Sequence, residues 1–330
     1  MTDHPTNLAL QIRKEAARLG FAALGFAAPT PQPVAIKRVT AMIEEHRNGE
    51  MHYLETNMAE RTNPALLLPN VQTIISTAIS YNYPIEYHDG FPKISRYALI
   101  EDYHTVMRTK LEKLLAAIKR IMGEPLAAFI AVDSSPLLEK NWAEVAGIGK
   151  TGKNTLLKVP SAGSYIFLGE ILLDREIRST PLMLPNYCGS CQACLESCPT
   201  GALIAPGKID ASRCISYLTI ELKREFTPDE AAMIGEWLFG CDLCQEACPY
   251  NQQASISAHE LFTIRQELLN LSTEEIFNLT KSSFRKLFYG TPIFRIGLRR
   301  LKRNAQAVEE NLKKNGDDLT RETSGKVTLK

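Results

Sequence analysis

Cysteine is missing from most of this chain, with none before Cys188 and none after Cys248. Long hydrophobic runs are missing too, because the longest apolar stretches fall well short of the roughly 20 residues that cross a bilayer. The N-terminus has neither a basic, apolar leader nor a twin arginine, so we expect no secretory or membrane address. These absences favour a soluble, cytoplasmic protein. In that reducing compartment, eight clustered cysteines are more typical of metal ligands or catalytic thiols than of disulfides.

Net charge is nearly absent, since 38 basic residues stand against 37 acidic ones in 330 positions. The balance conceals a gradient: residues 281–330 hold 13 Lys or Arg and 5 Asp or Glu, a net charge of +8, whereas residues 1–280 have a net charge of −7. A composition that is 45% hydrophobic and 23% charged excludes a disordered, fibrous or low-complexity protein. The length suffices for two or three compact units.

Residues 1–180 alternate helical and extended patterns, which favours an α+β fold with an N-terminal α/β-layered domain built on one sheet. Helices are predicted over 6–20, 33–47, 104–122 and 137–146, and strands over 71–79, 126–132 and 165–173. After Pro249 the pattern is wholly helical, with helices predicted over 258–271, 273–279, 282–288 and 294–315, which could pair as HEAT-like hairpins. We therefore divide the chain into residues 1–180, 181–255 and 256–315, followed by a polar tail, 316–330, that is expected to fray.

The cysteines form two dense motifs. The first is Cys188-x2-Cys191-x2-Cys194-x3-Cys198-Pro199, and the second is Cys241-x2-Cys244-x3-Cys248-Pro249, with Cys214 between them. In the bacterial two-cluster ferredoxin pattern, the fourth cysteine of each run binds the other cluster. This rule assigns one 4Fe–4S cluster to Cys188, Cys191, Cys194 and Cys248. The second cluster takes Cys198, Cys241 and Cys244, and Cys214 is the one cysteine left to complete it. Paired zinc ribbons are the alternative, but they need only short Cys pairs, so the run of three steps followed by Cys-Pro favours iron and sulfur.

Two further patterns precede the cysteines, and each has a structural alternative. The glycines of 147–153 look phosphate-binding, but they follow a predicted helix and not a strand, which indicates a helix C-cap and turn. Asp133 follows the apolar run 127–132 and precedes Pro136. A carboxylate at the end of a strand can have a raised pKa and act as a general acid, whereas an N-cap for the next helix is at least as well supported by the pattern.

Taken together, these residues resemble the epoxyqueuosine reductases, cobalamin-dependent enzymes of tRNA modification. The resemblance covers about residues 5–305 and rests on both cysteine motifs and on the segments 49–54, 61–69, 95–104, 133–140, 147–155, 163–170, 213–217 and 303–305. It implies a cobalamin-binding catalytic domain over 1–180, a two-cluster ferredoxin-like domain over 181–255 and a tRNA-binding helical segment over 256–315. The implied reaction reduces epoxyqueuosine at the tRNA wobble position to queuosine. Electrons would pass singly through the clusters to base-off cobalamin, with Asp133 as proton donor.

The resemblance also assigns cofactor contacts. Polar contacts with the corrin are implied for Asn57, Tyr97, Asp133, Ser216 and Asp242, and apolar or backbone contacts for Leu157 and Leu168. Ordinary core packing is the alternative for each leucine. The sequence has no Asp-x-His-x-x-Gly motif, so that motif offers no lower cobalt ligand, which suits a base-off cofactor.

The basic end completes the prediction. Residues 284–303 contain seven Lys or Arg and no acid, which favours a phosphate-binding surface over a merely solvated helix face. The predicted tRNA contacts are Lys223, Arg224, Arg295, Arg299, Arg300 and Arg303. We expect a monomer that also meets a low-potential electron donor. A cobalamin-dependent reductive dehalogenase and a non-catalytic iron–sulfur electron carrier remain the alternative functions.

Overall fold

The computed structural model describes residues 7–256 and 262–324, with side chains up to residue 314. The described strands are β1 (Ala23–Ala27), β2 (Thr73–Ser80), β3 (Lys93–Ile94), β4 (Ala128–Ala131), β5 (Lys150–Thr151), β6 (Leu157–Lys158), β7 (Ile166–Leu173), β8 (Leu203–Ala205), β9 (Lys208–Ile209) and β10 (Trp237–Phe239). Four of them form an antiparallel sheet of order β1-β2-β7-β4. The strands predicted over 71–79, 126–132 and 165–173 are confirmed as β2, β4 and β7, with ends shifted by a few residues.

The helices are α1 (Asn7–Arg18), α2 (Pro33–Glu44), α3 (Met58–Thr62), α4 (Tyr103–Met122), α5 (Glu139–Val145), α6 (Ala193–Glu196), α7 (Ile215–Ile220), α8 (Pro228–Met233), α9 (Leu243–Glu246), α10 (Pro249–Gln252), α11 (Thr273–Phe277), α12 (Lys281–Phe288) and α13 (Gly297–Ser324). Short 3-10 helices cover His52–Leu54, Pro64–Leu66, Arg96–Ala98, Ala211–Arg213, Gln266–Leu268 and Pro292–Ile296. Local signals explain α4: the Asp102 carboxylate accepts from the His104 amide at its start, and Gly123 ends it with a φ of 69°.

The sheet separates two apolar cores, because successive side chains of a strand point to opposite faces. Ile75 and Ile79 pack in one core with residues of α1 and α4, and Ile74 and Ala78 pack in the other with residues of α5. The first core continues into the C-terminal helices, through Phe284 of α12 and Leu301 of α13, for example. The predicted boundary at residue 256 therefore marks a change of composition but does not divide this core.

Two predictions for the helical end are wrong. Within the described part of 258–271 there is no α-helix: Ile264 pairs with Ile100 in an antiparallel bridge and is followed by the 3-10 helix Gln266–Leu268. The last helix does not end at residue 315 but continues to Ser324, so the beginning of the tail that was expected to fray is helical. Thr6, the predicted cap of α1, and residues 258–261 lie outside the described residues.

Candidate active site and iron–sulfur region

The Asp133 loop follows β4 and presents a carboxylate to solvent. Asp133 has a φ of 47°, in the left-handed region, and its side chain is 50% exposed. Its backbone N–H donates to Glu139 Oε1 at 2.7 Å. The next helix, α5, has Leu138 at its N-cap position with no side-chain cap bond. Asp133 therefore does not cap this helix, and the N-cap interpretation is wrong.

His104 lies between two carboxylates at the start of α4. Its Nε2 is 2.8 Å from Asp133 Oδ2, and its Nδ1 is 2.6 Å from Asp102 Oδ1. Arg295, from the C-terminal segment, places Nη1 3.1 Å from His104 Nε2 and Nε 3.9 Å from Asp102 Oδ2. We call Asp102, His104 and Asp133 the proton chain. It joins the start of a helix to the end of a strand, and a basic side chain borders it.

The electrostatics of the proton chain differ from the sequence expectation. Burial alone would raise the pKa of Asp133, but the hydrogen bond with His104 and the charges of His104 and Arg295 outweigh it, so the pKa is lowered. Burial would lower the pKa of His104, but the hydrogen bonds to Asp102 and Asp133 outweigh it, so this pKa is raised. The raised pKa expected for Asp133 is therefore corrected. This arrangement favours the protonated form of His104 and the ionised form of Asp133.

A second pair of carboxyl groups, half-buried Glu139 and fully buried Glu170, lies behind the loop. Burial raises the pKa of Glu139 to about 8. The hydrogen bond from the Asp133 N–H opposes this increase, and the charge of Asp133 adds to it. Burial also raises the pKa of Glu170 well above its ordinary value, and Glu139 adds to this effect. Ser76 Oγ donates to Glu170 Oε1 at 3.0 Å, while Oε2 is buried without a hydrogen-bond partner among the described residues. Both groups are therefore neutral near pH 7.

All eight cysteines are free thiols. Burial raises the pKa of Cys194, and the nearby thiols Cys188 and Cys248 contribute to the increase. Burial likewise raises the pKa of Cys244 to about 12, and Cys214 is the next largest contributor. We call Cys188, Cys191, Cys194 and Cys248 the first cysteine group, and Cys198, Cys214, Cys241 and Cys244 the second. Cys188, Cys194 and Cys248 thus lie near one another, as do Cys214 and Cys244, but Cys194 also acts on Cys244, so the partition and the ligand assignment stay predictions.

Backbone amides surround the sulfurs of the second group. Cys198 accepts from the amides of Thr200, Ala202 and Leu203, and Cys214 accepts from those of Ser216 and Tyr217. Thiolates that accept backbone N–H bonds are the donor set of a protein iron–sulfur cluster, so these residues fit such a group. Among the described residues, no three His, Cys, Asp or Glu side chains are gathered closely enough to hold a single metal ion.

Tyr97 connects the second group with the Asp133 region. Strands β3 and β10 pair in parallel and bring the segment after Ile94 beside the segment before Cys241. A Cβ built on Gly240 would lie 3.5 Å from the Tyr97 ring. Burial raises the pKa of Tyr97, and the charge of Asp133 contributes. Half-buried Ser216 borders the second group, because its backbone amide donates a hydrogen bond to the Cys214 sulfur.

The remaining predicted cofactor residues are less well placed. Asp242 is fully buried, and its carboxylate accepts from Ser95 Oγ and the Arg96 amide, each at 2.6 Å, so it has no side-chain surface for a corrin amide. Leu157 is 3% exposed in the second apolar core, which gives its side chain the packing role left open by the sequence. Leu168 packs half-buried against the same core. Asn57 is exposed, with a φ of 55°.

The predicted tRNA contacts separate into structural and accessible side chains. Arg303 is 8% exposed and donates to the carbonyls of Leu218 and Leu222, so the predicted phosphate contact is corrected to a structural role. Arg300 similarly donates to the carbonyls of Ile220 and Ile296.

The other four predicted tRNA contacts are exposed. Arg224 pairs with Glu230 at 2.7 Å and with Glu50 at 3.0 Å, and Arg299 pairs with Glu225 at 2.9 Å. Arg295 borders the proton chain, and Lys223 is solvent-exposed. These pairings show that the basic run is partly neutralised by acids elsewhere in the chain.

Sequence reasoning missed His104 and Glu139 as partners of Asp133. The signal for His104 was present in Asp102-Tyr103-His104, where a carboxylate two residues before a histidine begins a helix. Glu139 lies in the family segment 133–140, but its hydrogen bond with the Asp133 amide depends on how the loop from 133 to 138 folds back.

Known protein families match both the segment that leads to Asp133 and the cysteine region. The family model "Epoxyqueuosine reductase QueG, DUF1730" matches residues 61–134, and the model "4Fe-4S double cluster binding domain" matches residues 187–251. An epoxyqueuosine reductase from Cellulophaga algicola is 36% identical over 294 residues, covering 89% of this chain and 95% of the relative. This chain belongs to the epoxyqueuosine reductase family. Its members are oxidoreductases, and the double-cluster model supports two 4Fe–4S clusters in the chain.

Solved structures of epoxyqueuosine reductases share the fold. The Streptococcus thermophilus enzyme matches with a TM-score of 0.80 and 31% identity, covering 93% of this chain and 82% of that chain. A reductase in complex with an epoxyqueuosine-modified tRNA-Tyr stem loop matches with a TM-score of 0.78 and 27% identity at the same coverage. Among the described residues, no helix is long and apolar enough to span a membrane.

Proposed function

We propose that this protein reduces epoxyqueuosine in the anticodon loop of tRNA to queuosine, with two electrons passing through two 4Fe–4S clusters to bound cobalamin and with Asp133 as proton donor. The observation that supports this most directly is the proton chain, which places a half-exposed carboxylate 2.8 Å from a protonated imidazole. Family membership supports the substrate, since relatives at 36% identity are epoxyqueuosine reductases and one structure contains the modified stem loop.

The reaction removes the epoxide oxygen as water and leaves an alkene, so it consumes two electrons and two protons. When bound, cobalamin would supply low-potential cobalt chemistry that passes the electrons to the epoxide. Neutral side chains fit the amides of such a cofactor, and the chain offers Tyr97 near the Asp133 region, half-buried Ser216 beside Cys214, and exposed Asn57. The first proton comes from the His104–Asp133 pair, and solvent reprotonates this pair to supply the second, so that the oxygen leaves as water.

The proton path follows from the positions of the hydrogen-bonding atoms. His104 Nε2 gives its proton to Asp133 Oδ2, and Asp133 then protonates the epoxide oxygen, which otherwise leaves poorly as an alkoxide. The emptied Nε2 lone pair accepts from Arg295 Nη1, 3.1 Å away, which stabilises neutral His104. Asp102 keeps Nδ1 oriented throughout this transfer.

The electron path follows from exposure. Cys191 of the first group is exposed, whereas the second group borders Ser216 and Tyr97 on the side of Asp133. Electrons from a low-potential donor would therefore enter at the first group and leave from the second. In this order, the cluster that passes electrons to the substrate side lies away from the surface that meets the electron donor.

The tRNA surface lies beside the proton chain. Exposed Arg295 and Lys223 are the predicted contacts with the most accessible charge, and exposed Arg285 and Lys286 extend the surface along α12. Contacts with phosphates position an RNA without reading its sequence, which suits an enzyme that acts on one modified base. Arg303 and Arg300 hold this segment in place through backbone carbonyls.

Anaerobic turnover tests the proposal. The chain, loaded with clusters and cobalamin and chemically reduced, is expected to convert an epoxyqueuosine-containing anticodon stem loop to queuosine, detected by mass spectrometry of the digested RNA. Asp133→Asn should keep the cluster and corrin spectra but lose about 10²–10⁴-fold in single-turnover rate. The matched control is Asp89→Asn, at an exposed aspartate.

Two results would contradict the proposal. Failure of the fully loaded protein to form queuosine would remove the substrate. An unchanged single-turnover rate in Asp133→Asn would remove the proton donor while leaving the substrate in place.

A further inference from the structure

The glycine-rich segment that resembles a phosphate loop has a different neighbour in the structure. Residues 147–158 form a turn and the β5–β6 hairpin, and the hairpin ends at Lys158. Lys158 is 4% exposed, and its Nζ donates to Cys188 Sγ at 3.0 Å. A buried ammonium needs an anionic or strongly accepting partner, and the Cys188 sulfur provides one. The hairpin of the first segment thus reaches the first cysteine group.

Several groups of the hairpin form a built site around this sulfur. The Lys153 amide donates to Cys188 Sγ at 3.4 Å, and Lys153 Nζ donates to the Cys191 carbonyl at 2.7 Å. A Cβ on Gly152 would lie 2.6 Å from Lys158 Nζ, so the glycine leaves the space that the ammonium occupies. These contacts account for the glycine and lysines of the segment without a phosphate.

The two cysteine groups therefore lie in different electrostatic surroundings. Lys158 also acts electrostatically on Cys194 and Cys248, so its charge faces three of the four sulfurs in the first group. Near the second group, the carboxyl of Asp242 acts on Cys241 and Cys244. One-electron reduction adds negative charge to a cluster, so a neighbouring cation stabilises the reduced state.

We propose that Lys158, held by the Gly152–Lys153 turn, raises the reduction potential of the cluster bound by the first cysteine group above that of the other cluster. The first electron taken from the donor then resides at this surface-facing cluster until a second electron arrives. This is a positioning and tuning role for a lysine that touches no substrate. It depends on the two clusters but not on the identity of the substrate.

Potentiometric titration followed by EPR tests this role on the full chain with both clusters assembled. In Lys158→Gln, one midpoint should fall and the other should not move. The expected shift is on the order of tenfold in the reduction equilibrium constant, or about 59 mV for a one-electron couple. Lys158→Arg keeps the positive charge, so its midpoint should stay close to that of the wild type. Lys150→Gln is the matched control, because Lys150 pairs with Lys158 across the hairpin but is exposed and faces Glu144.

A second variant keeps the test decisive if Lys158→Gln does not assemble both clusters. Gly152→Ala retains the lysine charge but pushes the flexible ammonium away from Cys188, so the same midpoint should fall by a smaller amount. The proposal is overturned if the midpoints match those of the wild type in either variant with a full complement of iron. It is also overturned if both midpoints fall equally, because the charge would then not be selective for one cluster.

Discussion

Two pairs of ionisable side chains lie on either side of the Asp133 loop, and their protonation differs. In front, Asp133 has a lowered pKa and faces His104, whose pKa is raised. Behind, Glu139 has a pKa of about 8, and that of Glu170 is higher than usual. The front carboxylate meets a cation in a partly exposed site, whereas the rear pair is a half-buried carboxyl, Glu139, that acts electrostatically on a fully buried one, Glu170. The same functional group is therefore ready to receive a proton on one side and fixed as neutral on the other.

Removing the imidazole should have the largest effect on this contrast. His104→Gln leaves Asp133 ionised without its proton source, so we expect single-turnover reduction of the stem loop to fall by about 10²-fold or more. The pH dependence of the remaining rate should move toward lower pH, where solvent protonates Asp133 directly. Rapid-quench assays between pH 5 and 9 measure both effects.

Cluster and corrin absorption should remain unchanged in this variant. His88→Gln, at an exposed histidine, serves as the control. A wild-type rate and pH profile in His104→Gln would remove His104 from the proton path.

Replacing Glu139 by a neutral side chain should have the next largest effect, and this effect is on the stability of the fold. Because the folded pKa of Glu139 exceeds its unfolded value, stability falls as the pH rises from about 4.5 to about 8. Glu139→Gln keeps an oxygen that can accept from the Asp133 amide and removes this loss. We expect its free energy of unfolding at pH 7 to exceed that of the wild type by on the order of 2 kcal/mol.

Urea unfolding at several pH values measures this difference. The gain should disappear well below pH 4.5, where the wild-type carboxyl is neutral in both states. Glu124→Gln, at an exposed carboxylate, should show no such pH-dependent gain. Equal stability of wild type and Glu139→Gln across this range would show that Glu139 is not held neutral by burial.

The front ion pair should contribute less to stability, because Asp133 is half exposed and solvent screens the pair. The raised pKa of His104 gives stability that is fully present below its unfolded value and is lost as the pH rises through the folded value. The lowered pKa of Asp133 gives stability that is present above its unfolded value and is lost as the pH falls through the folded one. The pair is thus most stabilising between these limits.

Replacing Asp133 by Asn should therefore cost less than about 1 kcal/mol near neutral pH. The difference between wild type and Asp133→Asn should diminish above the folded pKa of His104. Urea unfolding on both sides of neutrality provides the measurement, and a difference independent of pH would contradict the ion pair.

The smallest effect concerns Arg295, which borders the front pair. Arg295→Ala should weaken stem-loop binding and lower the slope of log affinity against log salt by about 0.9 or less, as for one phosphate contact. Fluorescence anisotropy at several salt concentrations measures the slope. Arg18→Ala, at an exposed arginine of α1, is the control. An unchanged slope would mean that Arg295 does not contact a phosphate and only borders the proton chain.

Sequence patterns predicted features that depend on neighbouring residues. The end of α4 at Gly123, the strands over 71–79, 126–132 and 165–173, and the helix C-cap before Gly147 all follow from local composition. The cysteine partition follows from spacing and stays a prediction, although Cys188, Cys194 and Cys248 lie near one another in the structure. Family motifs predicted the importance of Asp133.

Features that depend on long-range packing were missed. Arg303 belongs to the same basic run as Arg295, and nothing local shows that one guanidinium is buried against carbonyls while the other is exposed. Asp242 appears polar in sequence but is enclosed by Ser95 and Arg96 from a distant segment. The lowered pKa of Asp133 required His104, which enters from another element.

The backbone of Asp133 has a consequence for how this chain would respond to selection. A φ of 47° suits glycine or asparagine better than most residues. The aspartate there is held partly by the hydrogen bond that its backbone N–H donates to Glu139. A screen for heat resistance alone would therefore favour glycine at position 133. A screen for product would reject it, so the two kinds of laboratory evolution should diverge first at this residue.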